Sequence, residues 1–323
     1  MAQRESTVAP EPLARPRFLG AGYGRMLKKD FLRNRSIYLM AVPVVAFFLI
    51  FYYAPMFGLV ISFKRFTPAL GIFGSPWVGF KYFEDFFQSY FAFRIIRNTI
   101  LLSVLSLLWG FPAPIILALL INEVRSTPFR RSVQSLTYLP HFISLVVVCG
   151  LLLEFSQSGG LFNDLRGWFG AEPISFFQDP RYFRSFYIGS DIWQEVGWGS
   201  IIYLAALSAI DPQLYEAATI DGAGRFRQLR HITVPSIAPT IVVLLILRLG
   251  NLMTVGHEKI ILLYNSSIYE TADVISTFVY RKGLLDFSWS YGTAVGLFNS
   301  LINLALVVLA NWISRRVNET SLW

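Results

Sequence analysis

The segment "YEAATIDGAGRFRQLRHITVP", Tyr215–Pro235, lies between two long apolar stretches and is itself charged and broken by glycines. The flanking stretches are apolar enough to cross a bilayer as helices, for which about 20 residues suffice. A backbone reversal with several charges is costly in lipid, so this segment is expected outside the bilayer. The pattern predicts an all-α membrane protein with an extramembranous connection at this point.

The connection has the residue pattern of a helical hairpin. Asp211 and Pro212 make a favourable helix start, because Asp caps the first turn and Pro needs no N–H there. Gly222 and Gly224 permit a reversal, and residues Arg225–Ile232 predict a second short helix before the next span. Such a hairpin is either an interfacial element or a rigid lever docked on a cytoplasmic partner.

The whole chain is unusually apolar. Hydrophobic residues make up 54% of it, aromatic residues 16%, and the mean hydropathy is +0.51, values that exclude an ordinary soluble domain. Six windows are long enough to span a membrane as helices. These windows are Ile37–Ile61, Thr99–Ile121, Leu136–Phe155, Tyr187–Ile210, Ile237–Ile261 and Gly292–Ile313.

Positive charges predict the orientation. Eight Lys and Arg residues fall between Arg4 and Arg35, and basic residues near helix ends are retained on the cytoplasmic side. We therefore expect a cytoplasmic tail with an interfacial segment over 1–36, a transmembrane domain over 37–313 and a cytoplasmic tail over 314–323. The net charge of +8 then reflects topology and anionic lipid, with no nucleic-acid partner.

Several motifs carry a resemblance to a known family. Glu216-Ala217-Ala218, Asp221-Gly222-Ala223 and Ile232-Thr233-Val234-Pro235 resemble the EAA loop of binding-protein-dependent ABC importer permeases, which usually have Leu where this chain has Val234. Four other stretches resemble the carbohydrate-uptake permeases, within them those for oligosaccharides and polysaccharide fragments such as alginate oligosaccharides. They are "YLPHFIS" (138–144), "GSPWVGFKYF" (74–83), "GTAVGLFNSLINL" (292–304) and "SLW" (321–323).

The resemblance implies a type I importer permease in the bacterial inner membrane, with a MetI-like core over 95–313 and one extra N-terminal helix. It implies a second homologous permease, two cytoplasmic ATPases and an extracytoplasmic solute-binding protein. ATP and Mg²⁺ would be bound by the ATPases, so this chain would hold no cofactor and have no catalytic residue. The segment 211–235 would couple to an ATPase through Glu216, Ala217, Ala218, Asp221, Gly222, Ala223, Gly224, Phe226, Ile232 and Pro235.

Two further patterns agree with a non-catalytic chain. None of the six lysines is followed by Ser or Thr, so no Gly-Lys-Ser/Thr phosphate loop exists. The three histidines are far apart in sequence, and the one cysteine, Cys149, falls in an apolar run. Neither a metal site nor an intrachain disulfide is expected.

Polar residues inside the spans are the candidates for a sugar path, because such groups are costly unless they face a cavity or a partner. The alternative is that they only hydrogen-bond between helices or to the second permease. Arg248 is the strongest candidate, because it cannot lose its proton; Glu258, a partner's carboxylate or an anionic sugar could pair with it. The candidates are Asp191, Trp193, Gln194, Glu195, Arg248, Asn251, Asn299 and Asn303.

Two other functional classes compete with this interpretation. A stand-alone secondary transporter or channel would need internal inverted repeats and its own coupling-ion sites, and the sequence has no repeat. A membrane enzyme acting on lipid-linked sugars would need clustered catalytic carboxylates or histidines, and no such cluster is evident. We therefore expect the permease subunit of an ATP-driven oligosaccharide importer.

Overall fold

The computed structural model describes residues 33–318, and within that range it contains helices and turns but no strand, apart from an isolated β-bridge between Lys64 and Trp77. The described residues divide into two units, one ending at Gly58 and the other beginning at Leu59. The helices are α1 (Arg35–Phe63), α2 (Gly71–Gly74), α3 (Lys81–Gln88), α4 (Ala92–Glu123), α5 (Thr127–Phe142), α6 (Leu145–Phe155), α7 (Leu161–Trp168), α8 (Pro180–Ser208), α9 (Pro212–Ile220), α10 (Arg225–Gly250), α11 (His257–Leu263), α12 (Tyr269–Ala272), α13 (Ile275–Val279, continued by a π-helical turn at Tyr280–Leu285) and α14 (Trp289–Asn318).

Four helices are long and apolar enough to cross a membrane, namely α1, α4, α10 and α14. The first, second and sixth predicted spans lie inside α1, α4 and α14, so those predicted helices are confirmed. Helix α14 continues into the predicted C-terminal tail as far as Asn318. The predicted interfacial segment before residue 33 lies outside the described residues.

The third predicted span, Leu136–Phe155, is not one straight helix. Helices α5 and α6 meet at an angle of 96°, with the break at Ile143 and Ser144. Ser144 caps α6 by accepting a hydrogen bond from the Val147 N–H at 3.4 Å, and Pro140 cannot donate its own backbone bond to the preceding helix. These local signals outweigh the continuous hydrophobicity of the window.

The fourth predicted span, Tyr187–Ile210, lies almost entirely within α8, which begins earlier, at Pro180, and ends at Ser208. At 29 residues this helix is about 44 Å long, more than a bilayer core requires. Asp191 and Glu195 make it less apolar, and it is not one of the four helices that pass on both length and composition. The residues described give four or, with the bent α5–α6 pair, five spans on those criteria.

The fifth predicted span, Ile237–Ile261, is interrupted. Helix α10 ends at Gly250, and the chain runs without helix to Gly256 before α11 begins. The Met253 N–H donates to Oδ1 of Asn303 at 2.9 Å, so a side chain from α14 replaces the lost helical acceptor. A polar side chain of α14 thus stabilises the non-helical segment between α10 and α11.

Three buried apolar clusters hold the unit from Leu59 onward. One gathers α8, α11 and the 174–177 segment around Phe183 and Ile260, and a second joins α3, α4 and α13 to α14 around Phe86 and Ile95. The third packs α4, α8 and α10 together through Ala118, Ile121, Tyr203, Leu207 and Ile237. Since α8 leads into the 211–235 hairpin and α10 contains its second arm, this third cluster fixes the two helices from which the hairpin extends.

Candidate functional site

The hairpin between α8 and α10 forms as predicted at its start and its turn. Oδ1 of Asp211 accepts the Gln213 N–H at 2.9 Å, with Pro212 in the first turn of α9. Gly222 has a φ of +74°, the left-handed conformation that glycine adopts without strain. The Ala223 N–H then donates to the Ala218 carbonyl at 2.8 Å, which closes the end of α9.

The second arm of the hairpin differs from the prediction of a separate short helix. Arg225–Gln228 continues through a π-helical turn at Leu229–Thr233 into the long apolar part of α10, so arm and span are one helix. Pro235 is the second residue after the wide turn, where its missing N–H and its ring disturb the regular ladder of hydrogen bonds. The second arm of the hairpin is therefore joined to the span without a break in the helix.

Side-chain hydrogen bonds fasten the two arms of the hairpin together. The hydroxyls of Tyr215 and Thr233 lie 3.0 Å apart. Nε2 of Gln228 donates to Oγ1 of Thr219 at 3.0 Å and to the Ala223 carbonyl at 2.9 Å. These four side chains were missed by sequence reasoning; their spacing along the chain gave no sign that they meet.

The outer surface of the hairpin carries apolar side chains in solvent. Ile220 is 87% exposed and Phe226 76%, with Leu214 also exposed. Large apolar side chains exposed on a polar hairpin are compatible with a protein–protein contact. Glu216 is exposed on α9 beside them, and no described side chain bonds it.

The residues predicted for coupling therefore occupy one continuous element. Glu216, Ala217 and Ala218 lie on α9, and Asp221 to Gly224 form the turn. The remaining three, Phe226, Ile232 and Pro235, follow on α10. The contact of this element with an ATPase stays a prediction.

A second candidate site is a cavity of about 530 Å³ between α4, α8 and α10. Asp191, Glu195 and Arg248 line it together, so the structure brings three of the eight predicted path residues to one place. Trp198 and Tyr203 add aromatic surface to the same wall. Charged side chains within predicted membrane spans indicate a space that contains water, solute or another chain.

Both carboxylates of the cavity already have partners. Oδ1 of Asp191 lies 3.5 Å from Nζ of Lys259, whose side chain is only 4% exposed. Oε2 of Glu195 lies 2.9 Å from Nδ1 of His141, and the imidazole stacks on the Trp198 ring with centroids 4.4 Å apart. A buried cation in an apolar run needs such a partner, a signal in the sequence from which Lys259 could have been predicted.

Arg248 has no comparable partner. It stands in the last turn of α10 with its side chain exposed, and no carboxylate within residues 33–318 forms an ion pair or hydrogen bond with it. The pairing with Glu258, one of the alternatives considered from the sequence, is not formed. The guanidinium is therefore available to a group from outside this part of the chain.

The other five predicted path residues lie elsewhere or serve the fold. Trp193 lines an apolar groove of about 590 Å³ beside α6 and α7. Gln194 is buried and donates to the Ile143 carbonyl at 3.0 Å, which satisfies an acceptor freed by the α5–α6 break. The three asparagines act around the break after α10: Asn251 bonds the Leu247 carbonyl, Asn299 the Met253 carbonyl, and Asn303 both Met253 and Thr254.

Two proteins of known sequence are similar to this chain over most of its length. LplB of Bacillus subtilis (strain 168) is 44% identical over 306 residues, which cover 94% of this chain and 96% of LplB. The polygalacturonan/rhamnogalacturonan transport system permease protein YteP of the same organism is 46% identical over 293 residues, 90% of this chain and 91% of YteP.

Two solved structures are similar to this chain in both fold and sequence. A chain in the crystal structure of a bacterial ABC transporter involved in the import of the acidic polysaccharide alginate is 48% identical, with a TM-score of 0.86 over 91% of this chain and 99% of that chain. A bacterial alginate ABC transporter, solved in complex with alginate pentasaccharide-bound periplasmic protein, contains a chain that is 46% identical, with a TM-score of 0.85 over 93% and 100% of the two chains.

A family model covers the part of the chain that includes the hairpin and the cavity. It matches residues 110–319 and describes inner membrane components of binding-protein-dependent transport systems. Two relatives are also more than 40% identical over nine-tenths of their length. The match and these relatives together show the family. The chain belongs to the binding-protein-dependent transport system inner membrane components, the multi-pass permeases of ABC transporters.

Proposed function

We propose that this chain is the permease subunit of an ATP-driven, solute-binding-protein-dependent importer of oligosaccharides. The observation that carries the proposal is the hairpin 211–235, whose second arm is continuous with a span and whose surface exposes Ile220 and Phe226. Such an element is built to receive a partner and to transmit its movement. The sugar-transport roles of one relative and of one similar structure support an oligosaccharide as cargo.

The proposed assembly has four kinds of component. A second, homologous permease forms the translocation path with this chain, and two cytoplasmic ATPases bind ATP and Mg²⁺ and contact the hairpin. A solute-binding protein delivers the sugar from outside, as the periplasmic protein in the alginate transporter complex suggests. This chain itself holds no cofactor and performs no catalysis.

The proposed topology has six spans with both termini in the cytoplasm. Spans one, two, five and six correspond to α1, α4, α10 and α14. The bent α5–α6 pair serves as the third, and α8 serves as the fourth, its charged residues turned toward the cavity. The MetI-like core then comprises 95–313, with α1 as the additional N-terminal helix.

An acidic oligosaccharide is the proposed substrate. One relative is named for polygalacturonan and rhamnogalacturonan, and one similar structure is of an importer of alginate, described as acidic. Polygalacturonan and alginate are both polymers of uronic acids, so a short chain of uronates is the substrate class common to both proteins. A stand-alone sugar transporter or channel is the alternative, and no feature of the described residues favours it.

Co-purification with an ATPase separates these possibilities. We expect this chain to carry an ATPase and a second permease through purification, and Phe226→Ser to weaken that association. Phe73→Ser is the matched control, because Phe73 is 97% exposed but lies in α2, far along the chain from the hairpin. Uptake by the purified chain alone, without an ATPase and without ATP, would overturn the proposal.

A further inference from the structure

We infer that the cavity between α4, α8 and α10 is a carboxylate-binding subsite in which Arg248 binds a uronate group of the cargo. The inference rests on the proposed function and deepens it, because it assigns the recognition of acidic sugar to named residues of this chain. Its basis is the distribution of charge around the cavity, taken one group at a time.

Asp191 contributes little free negative charge to the cavity. Its carboxylate is paired with Lys259, which is almost fully buried behind it and also donates to the Tyr187 carbonyl at 3.2 Å. The ammonium lies 5.0 Å from the centroid of the Tyr187 ring, a further contact that holds the cation in place. Lys259 thus compensates the carboxylate from the protein side and leaves the cavity side open.

Glu195 is held in place by His141 beside the α5–α6 break, through a hydrogen bond rather than a pairing with a lysine or arginine. His141 lies in the last turn of α5 and contacts Glu195 through Nδ1, while its ring covers one face of Trp198. The stacked rings are 3° from parallel, so the imidazole packs flat against the indole on that face. Trp198 lines the cavity, where its remaining aromatic surface suits the apolar face of a sugar ring.

Arg248 is left as the charged group without a described counterion. Its guanidinium stays protonated in any protein environment and presents two parallel N–H groups that match a carboxylate. A cation within a membrane-spanning helix is stabilised by an anion, and neither Asp191 nor Glu195 forms an ion pair with Arg248 in the described part of the chain. The guanidinium lines the cavity of about 530 Å³, where it can bind the carboxylate of an acidic sugar.

The experiment is a binding titration on the assembled importer in lipid nanodiscs without its solute-binding protein, so that selectivity of the delivery protein does not enter. The probes are trigalacturonate and its methyl ester, which keeps the rings and removes the charge. We expect Arg248→Gln to weaken trigalacturonate binding by about 10- to 100-fold, the loss of one charge-assisted contact. Binding of the ester should hardly change, and Arg248→Lys should recover part of the loss.

Lys259 provides a second, independent readout. Lys259→Met leaves the Asp191 charge uncompensated beside the subsite, so trigalacturonate binding should weaken while binding of the ester does not. Adding Asp191→Asn removes that charge and should restore the affinity, a result that a purely structural role of Lys259 would not produce. Arg181→Gln is the control, because Arg181 is bonded to Asp179 at the start of α8 and is largely exposed.

Three outcomes would overturn the inference. Equal affinity of wild type for trigalacturonate and its ester would exclude carboxylate recognition. Wild-type affinity in Arg248→Gln would exclude Arg248. Failure of both Arg248→Gln and Arg248→Lys to co-purify with the second permease would make Arg248 a subunit contact. In each case ATP-dependent uptake of an oligosaccharide by wild type would leave the proposed function standing, whereas no such uptake would overturn the function itself.

Discussion

The hydroxyl of Tyr215 lies 3.0 Å from the hydroxyl of Thr233, and this contact joins the two arms of the hairpin across 18 positions of sequence. Tyr215 is on α9, and Thr233 is the last residue of the π-helical turn in α10. Thr233 is only 2% exposed, so the contact lies at the base of the hairpin, beside the first apolar turn of the span. A force on α9 therefore reaches α10 both through the Gly222 turn and through this shorter connection.

Removing that hydroxyl tests whether the connection matters. Tyr215→Phe deletes one hydrogen bond and should lower stability by about 0.5–1.5 kcal/mol. We expect normal assembly but a lower ratio of uptake to ATP hydrolysis, because the hairpin arms then move less as one body. Coupled uptake and hydrolysis in proteoliposomes measure the ratio. Tyr90→Phe is the control, since Tyr90 is 86% exposed; equal ratios in both variants would argue against a mechanical role.

A second relationship fixes α8 against α5. A Cβ built on Gly197 would overlap the backbone carbonyl of Thr137, so only glycine allows the two helices to cross this closely. Gly197→Ala should cost about 1–3 kcal/mol, because backbone must move to admit the methyl group. The thermal unfolding of the purified complex measures this effect.

Gly189→Ala is the matched control for that substitution. Gly189 lies on the same helix, and nothing lies within 4 Å of its added Cβ. Its replacement should leave the unfolding temperature unchanged or raise it slightly, because alanine favours the helix more than glycine does. Equal unfolding temperatures for the two variants would show that α5 and α8 do not pack at Gly197 as the structure has them.

Residues that are adjacent in sequence predict the start and the turn of the hairpin, but they do not predict where the neighbouring spans are interrupted. Asp211 as cap and Gly222 at the turn are read from a few adjacent residues, and both occupy those places in the structure. The break after Gly250 depends on Asn303, which lies about 50 positions further on and bonds the Met253 N–H. Such a contact exists only after α10 and α14 have packed, so hydropathy alone joined the segment into one span.

For the cavity as well, the sequence identified the lining residues but not their partners. Polar residues in apolar windows identified Asp191, Glu195 and Arg248, because their desolvation cost is local. Which of them keeps a free charge depends on Lys259 and His141, which come from other helices. The sequence of α8 by itself therefore does not predict which charged group of the cavity is left without a partner.

Labelling tests the proposed topology. The positive-inside rule places Ser6 in the cytoplasm and Gly170, between α7 and α8, outside. An impermeant thiol reagent added to intact spheroplasts should label a cysteine at Gly170 and leave one at Ser6 unlabelled until the membrane is opened. The native Cys149 is 1% exposed, so its background should be low. Labelling at both positions from outside would refute the orientation.

Substitutions at Gly222 distinguish the effect of backbone strain from the effect of side-chain size in the hairpin. Its φ of +74° is unfavourable for any residue with a Cβ, and Gly222→Ala should cost about 1–2 kcal/mol locally. Nothing lies within 4 Å of an added Cβ, so the chain alone leaves room for a larger side chain. Further loss in Gly222→Trp beyond that in Gly222→Ala would then arise from a docked partner.

We expect Gly222→Asn to be nearly silent, because Asn tolerates the left-handed conformation. Gly222→Ala should lower substrate-stimulated ATP hydrolysis modestly, and Gly222→Trp should abolish hydrolysis and uptake together while membrane insertion persists, since both flanking helices are unchanged. Glu216→Ala should act in the same direction but more weakly, because it removes one surface contact and keeps the turn. Reconstituted transport and an ATPase pull-down measure these effects, with Gly159→Trp, at an open glycine between α6 and α7, as the control. If Gly222→Trp retains the ATPase and transports like wild type, the hairpin is an interfacial element without a role in coupling.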